Sequence, residues 1–88
     1  MTEQDTLFEF PCRFSVKAMG LATADFDLLV VEIVNRHVSN LGEGAVTVRP
    51  SRGGKYLSVT VTFEARSKAQ LDAIYQDLSA DDRVLVSL

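Results

Sequence analysis

The chain has 88 residues, 47% apolar and 24% charged, with nine Lys/Arg against twelve Asp/Glu and a net charge of −3. That suits one domain with one modest core. No apolar run approaches the roughly 20 residues that span a bilayer, and the acidic balance argues against general binding to a phosphate backbone. A single cysteine excludes an internal disulfide. The start, Met1-Thr2-Glu3-Gln4-Asp5, is acidic where a signal peptide is basic. The expected location is the cytoplasm, away from membranes.

Residues 1–9 read as a flexible tail, with Leu7 and Phe8 touching the body, ahead of a single domain over 10–88. From Cys12 to Met19 the chain alternates. Phe14, Val16 and Ala18 face one way, Arg13, Ser15 and Lys17 the other, and Gly20 ends this first strand. A helix follows, with Thr23 as N-cap and Asp25 and Asp27 suited to its positive end. Phe26, Leu29, Val30, Ile33, Val34 and His37 make its core stripe. Leu28 and Val31 lie off the stripe and suggest a second buried side. Asn40 and Gly42 stop the helix.

The run from Val46 to Ala65 is a β-hairpin signal: two alternating stretches around Pro50-Ser51-Arg52-Gly53-Gly54-Lys55. In its second strand Leu57, Val59, Val61, Phe63 and Ala65 share one face, and Ser58, Thr60, Thr62 and Glu64 the other. Ser67 and Gln70 form a capping box for a second helix with the stripe Leu71, Ile74, Tyr75 and Leu78. After the turn Ala80-Asp81-Asp82, Val84, Val86 and Leu88 alternate with Arg83, Leu85 and Ser87, which puts Leu85 on the open sheet face.

This order predicts an α+β, ferredoxin-like βαββαβ two-layer sandwich, a four-stranded antiparallel sheet in order 4-1-3-2 with two helices on one face. Helix one should pack on Val59 and Val61. Gly20, Thr23 and the hairpin tip should meet at one end, and Cys12, His37 and the start of helix two at the other.

Phe10-Pro11, Lys17-Ala18-Met19-Gly20, Val31-Glu32 with Arg36-His37, Pro50-Ser51 with Gly54, and Tyr56-Leu57-Ser58-Val59 together resemble the YbeD-like family of small bacterial proteins. The similarity runs from about Phe8 to Leu88. Ala24 stands where a relative carries the Pro favoured in a first helical turn. The resemblance implies a ferredoxin-like sandwich related to ACT-type domains, a regulatory or ligand-sensing role, and a link to lipoate metabolism. It carries over no catalytic residue.

The candidate binding end comprises Lys17, Gly20, Thr23, Arg49, Ser51, Arg52, Gly54, Lys55 and Tyr56. Gly20 would let a ligand approach the backbone, the helix start offers N–H groups to an anion, and the basic residues would hold a carboxylate or phosphate. The alternative is a helix end satisfied by Asp25 and Asp27 beside a solvated turn. His37 reads first as a helix-terminal histidine with a backbone partner, the alternative being a ligand or base. Cys12 and His37 fall short of the three or four ligands of a zinc site. The Gly-Gly pair lacks the P-loop frame.

Arg13, Ser15, Lys17, Ser58, Thr60 and Thr62 occupy the positions where RNA-recognition domains carry stacking aromatics, so nucleic acid is not an expected partner. Residues 20–24 lack the phosphate-cradling arginine of an acylphosphatase-like enzyme. Strand edges leave room for a homodimer, the alternative being a solvated sheet. The expected function is a non-enzymatic regulatory or ligand-sensing module for a small anionic metabolite or a partner protein, with no cofactor and no metal. The alternatives are an interaction module that docks on an enzyme and a small acyl- or phosphoryl-processing enzyme.

Overall fold

The computed structural model describes residues 9–88, so the expected contacts of Leu7 and Phe8 lie outside the described residues. The elements are β1 (Cys12–Leu21), α1 (Phe26–Asn35), β2 (Val46–Pro50), β3 (Tyr56–Ala65), α2 (Lys68–Ala80) and β4 (Val86–Ser87). The sheet order is β2-β3-β1-β4 with every neighbouring pair antiparallel, the expected ferredoxin-like arrangement.

Ten rungs join β1 to β3, from Cys12 opposite Ala65 to Leu21 opposite Tyr56. This register puts Phe14 opposite Phe63, Val16 opposite Val61 and Ala18 opposite Val59, all on the helix-bearing side. The Phe14 and Phe63 rings are tilted, with centroids 6.4 Å apart. One core unites these residues with Phe26, Val30, Ile33 and Val34 of α1 and Leu71, Ile74 and Leu78 of α2. Helix α1 lies over β3, which carries Val59 and Val61, as expected.

The tightest approach is at Gly20. A Cβ added there would fall 2.5 Å from the Phe26 ring and also meet the carbonyl oxygen of Arg83. Only a residue without a side chain admits both. Leu28 is 66% exposed, so the second buried side expected for α1 does not form there.

Helix α1 starts later and stops earlier than the sequence predicts. The N-cap position is Asp25, not Thr23, and no side chain caps it. The Phe26 amide bonds instead to the Thr23 carbonyl at 3.3 Å. At the other end Arg36 N–H is shared between the carbonyls of Glu32 and Ile33, and His37 N–H reaches Val34. This tightening ends the helix at Asn35, well before Asn40 and Gly42. Helix α2 starts where Ser67 predicts: its hydroxyl accepts from Gln70 N–H at 3.1 Å. The Gln70 side-chain oxygen reaches one residue beyond the box, to Arg66 N–H at 2.7 Å.

The register of β4 departs from the alternation read in the sequence. Ser87 lies opposite Ala18, on the helix side, while Val86 lies opposite Met19. Val86 and Leu88 therefore face out and are 46% and 67% exposed. The turn before β4 explains this. Val84 N–H bonds to the Asp81 carbonyl and Arg83 N–H to the Asp81 side chain, so the chain is held in a turn until Val84. Pairing starts only when Leu85 N–H meets the Met19 carbonyl at 2.8 Å. A one-residue change in register exchanges the faces of a strand.

Replacing Gly20 with Ala should cost about 1–3 kcal/mol, because neither backbone nor a buried ring yields easily. Gly42→Ala, with nothing within 4 Å of the added carbon, should stay within about 0.5 kcal/mol. Urea unfolding of the two variants checks the contrast.

Candidate functional site

The end chosen from the sequence does assemble. Ala22 N–H bonds to the Lys55 carbonyl at 2.9 Å, tying the end of β1 to the hairpin loop. The loop is closed by Ser51 and Tyr56: Ser51 N–H donates to Tyr56 O at 2.8 Å, and Tyr56 N–H donates to the Ser51 hydroxyl at 3.0 Å. Gly53 and Gly54, with φ of 86° and 75°, supply the left-handed residues this reversal needs.

Several groups assigned to a ligand are already engaged. Gly20 is covered by Phe26 and the Arg83 carbonyl, so no ligand reaches its backbone from the helix side. The Thr23 hydroxyl accepts from Arg83 Nη2 at 2.6 Å and donates to Asp25 at 3.2 Å. The Ser51 hydroxyl and the Gly54 amide close the hairpin loop. The side chains that remain available are cationic or aromatic, and they lie on the open sheet face and its hairpin rim.

Strand alternation and register define that face. It carries Lys17 and Met19 of β1, Arg49 of β2, and Tyr56, Ser58 and Thr60 of β3. A bond of 2.8 Å between the Ser15 and Thr62 hydroxyls lies on the same surface. Lys17 and Arg49 flank β3, two strand spacings across and two residues along, roughly 12 Å apart. Lys55 Nζ sits 5.5 Å from the Tyr56 ring centroid.

Charge is divided between the two layers. Arg36, Lys68 and Arg83 are ion-paired with Glu32 and Asp77, Asp72, and Asp25 respectively. Arg13, Lys17 and Arg49 stand on the open face, and Arg52 and Lys55 on the loop beside it. Glu64, opposite Arg13 in the register, is the carboxylate on this face among the described residues. Among the described residues the other four Lys/Arg stand with nine Asp/Glu, of which Glu43 lines a depression with Arg13, Thr62 and Glu64 at the end of the face.

Two polar clusters had no signature in the sequence. Arg83 clasps Asp25 through both nitrogens, at 2.6 and 3.2 Å, and so joins the segment after α2 to the start of α1. Its hydrogen bond to Asp25 holds that carboxyl below its ordinary value of 3.8. Leu21, Thr23, Asp82, Arg83 and Leu85 line a depression of about 270 Å³ beside the clasp. At the opposite end His37 Nε2 meets Asp77 at 2.7 Å, and the Gln70 amide donates to the His37 carbonyl at 2.8 Å. The sequence offers only a helix-terminal His and two distant polar residues, with nothing to pair them.

The Asp25 carboxyl, followed by NMR as pH is lowered, should titrate below 3.8 and return towards that value in Arg83→Ala. Because the folded-state value is depressed, the clasp's contribution is present above the unfolded value. It is lost as pH falls through the folded one.

Comparison with known proteins gives a consistent picture. The family described as "Protein of unknown function (DUF493)" matches residues 5–88. A UPF0250 protein of Chromobacterium violaceum is 42% identical over 86 residues, covering 98% of this chain and 97% of its own. One of Neisseria gonorrhoeae is 38% identical over 91 residues, covering all of both chains. The solution structure of HP0495 from H. pylori superposes with a TM-score of 0.73 at 20% identity, over 92% of this chain and 85% of that one, which shows a shared fold. With the match spanning residues 5–88 and relatives aligned end to end, the chain belongs to the DUF493 family, the UPF0250 or YbeD-like proteins.

Proposed function

We propose that this protein is a non-catalytic regulatory module that docks an acidic region of a partner protein on its open sheet face. The observation that carries this reading is the separation of charge: among the described residues, five cations lie on the face and its rim against Glu64 and, at the end beside Arg13, Glu43, in a chain of net charge −3. Such a field favours encounter with an anionic surface and orients the approach. It reaches about 8 Å at physiological salt, enough to span a docking contact.

A partner protein fits better than a small metabolite. The hydroxyls of Thr23 and Ser51 and the Gly54 amide, which would cradle a small anion, are bonded within the protein. Lys17 and Arg49 instead flank β3 on a broad surface, beside the exposed apolar residues Val86 and Leu88. Cations spread among small hydroxyls with an apolar margin suit a polypeptide surface. The regulatory role, the kinship with ACT-type domains and the link to lipoate metabolism rest on the family resemblance.

A photo-crosslinking residue at Thr60, in the middle of the face, should give a covalent adduct in cells. The same residue at Gln76 on α2 should not. Combining Lys17→Glu with Arg49→Glu should lower the Thr60 adduct about tenfold at unchanged thermal stability, since like charges now meet. An adduct insensitive to this reversal, or one formed only from Gln76, overturns the reading.

A further inference from the structure

Strand β2 is one edge of the sheet, so one side of Val46–Pro50 has no neighbouring strand. The ladder shows which backbone groups that side presents. Thr62 donates to the Ala45 carbonyl and Ser51 to the Tyr56 carbonyl, both at 2.8 Å. In an antiparallel pair the hydrogen-bonded rungs alternate. Thr47 opposite Thr60 and Arg49 opposite Ser58 are therefore bonded rungs as well.

Val46, Val48 and Pro50 turn their backbone groups outward. The edge thus offers the N–H of Val46 and Val48 and the carbonyls of Val46, Val48 and Pro50, with no partner among the described residues. Pro50 has no N–H, so donation along the edge stops there.

The side chains of the edge differ on its two faces. Thr47 and Arg49 share the open face with Lys17. Val48 stands on the helix side, yet it is 40% exposed, because α1 lies over β3. A strand added here would set one set of alternate residues beside Val48 and the other beside Thr47 and Arg49.

We infer that the edge of β2 accepts an extended acidic segment of a partner protein, in which carboxylates alternate with aliphatic residues. Backbone bonds to Val46 and Val48 hold the segment, its aliphatic residues cover Val48, and its carboxylates meet Arg49 and the basic face. The inference rests on the proposed function and names the form the partner takes.

Charge also distinguishes this occupant from a second copy of the chain. Antiparallel self-pairing centred on Val48 would set the two Arg49 side chains on one face as diagonal neighbours, about 7–8 Å apart. It would also oppose Val46 to Pro50, leaving the Val46 carbonyl without a donor. An acidic strand meets neither obstacle.

The test uses the full chain labelled with ¹⁵N and a blocked seven-residue peptide of alternating Glu and Val, against the same peptide with Lys for Glu. The acidic peptide should move the Val46 and Val48 amide signals most and slow their exchange with solvent. Val48→Pro removes an outward N–H without breaking a rung to β3 and should weaken binding about tenfold. Val48→Glu should do the same by repulsion with the backbone unchanged, and the exchange protection of Ser58 and Thr60 reports that each variant is folded.

If Val48→Pro and Val48→Glu bind like the parent while Arg49→Glu does not, the edge is not used. The proposed function then survives without this inference. Equal binding of the Lys peptide, or no binding at millimolar peptide, also overturns the edge site. So do Val46 and Val48 signals that shift with protein concentration alone, since a second copy would then hold the edge.

Discussion

The Phe26 ring rests on bare backbone at Gly20, and most of the molecule's upper end follows from that contact. A side chain at position 20 would hold α1 away from β1 and displace the Arg83 carbonyl. With glycine there, α1 settles low over the sheet and buries Phe26, Val30, Ile33 and Val34 together with Val59 and Val61. The same approach brings the segment after α2 across the start of α1. Arg83 then clasps Asp25 and Thr23 beside the helix start, so the Thr23 hydroxyl is already bonded within the protein.

A comparable junction closes the other end. The helical ladder of α1 tightens after Ile33, and this turns His37 towards α2. Its ring meets Asp77 and its carbonyl meets Gln70, so the last turn of one helix is satisfied by the side chains of the next. The helices are thus tied to each other and to the loops by polar contacts at their ends, while the apolar layer between them and the sheet contains no buried polar or charged residue among those described.

These ties have an electrostatic consequence. The carboxylates of the helical layer take Arg36, Lys68 and Arg83 as partners. Five of the six cations left over, Arg66 being the exception, lie on the opposite surface and its hairpin rim, among small hydroxyl side chains and next to an exposed strand edge. A protein acidic as a whole therefore presents one basic face. Its edge strand carries an arginine and ends in a proline, two features that discourage pairing with another copy of itself.

The amino-acid sequence by itself determined the six elements, their order and the sheet topology, because alternation in strands and the 3.6-residue stripe in helices are local signals that burial in one core reinforces. It also determined that Gly20, the start of α1 and the hairpin loop share one end, since antiparallel pairing leaves no other placement. Only the tertiary structure decided the length of α1, the faces of β4, and which cations remain free. The last depends on contacts between residues far apart in the chain, while the first two follow from local hydrogen bonds that the side-chain pattern does not announce. Asp81 holds Arg83 and Val84 in a turn and so delays β4. Arg83 engages Thr23, a residue of the candidate anion site, together with Asp25. His37 finds Asp77 some 40 positions away. The candidate residues that kept their availability, Lys17, Arg49, Arg52, Lys55 and Tyr56, are those whose surroundings were set by strand alternation and the hairpin alone.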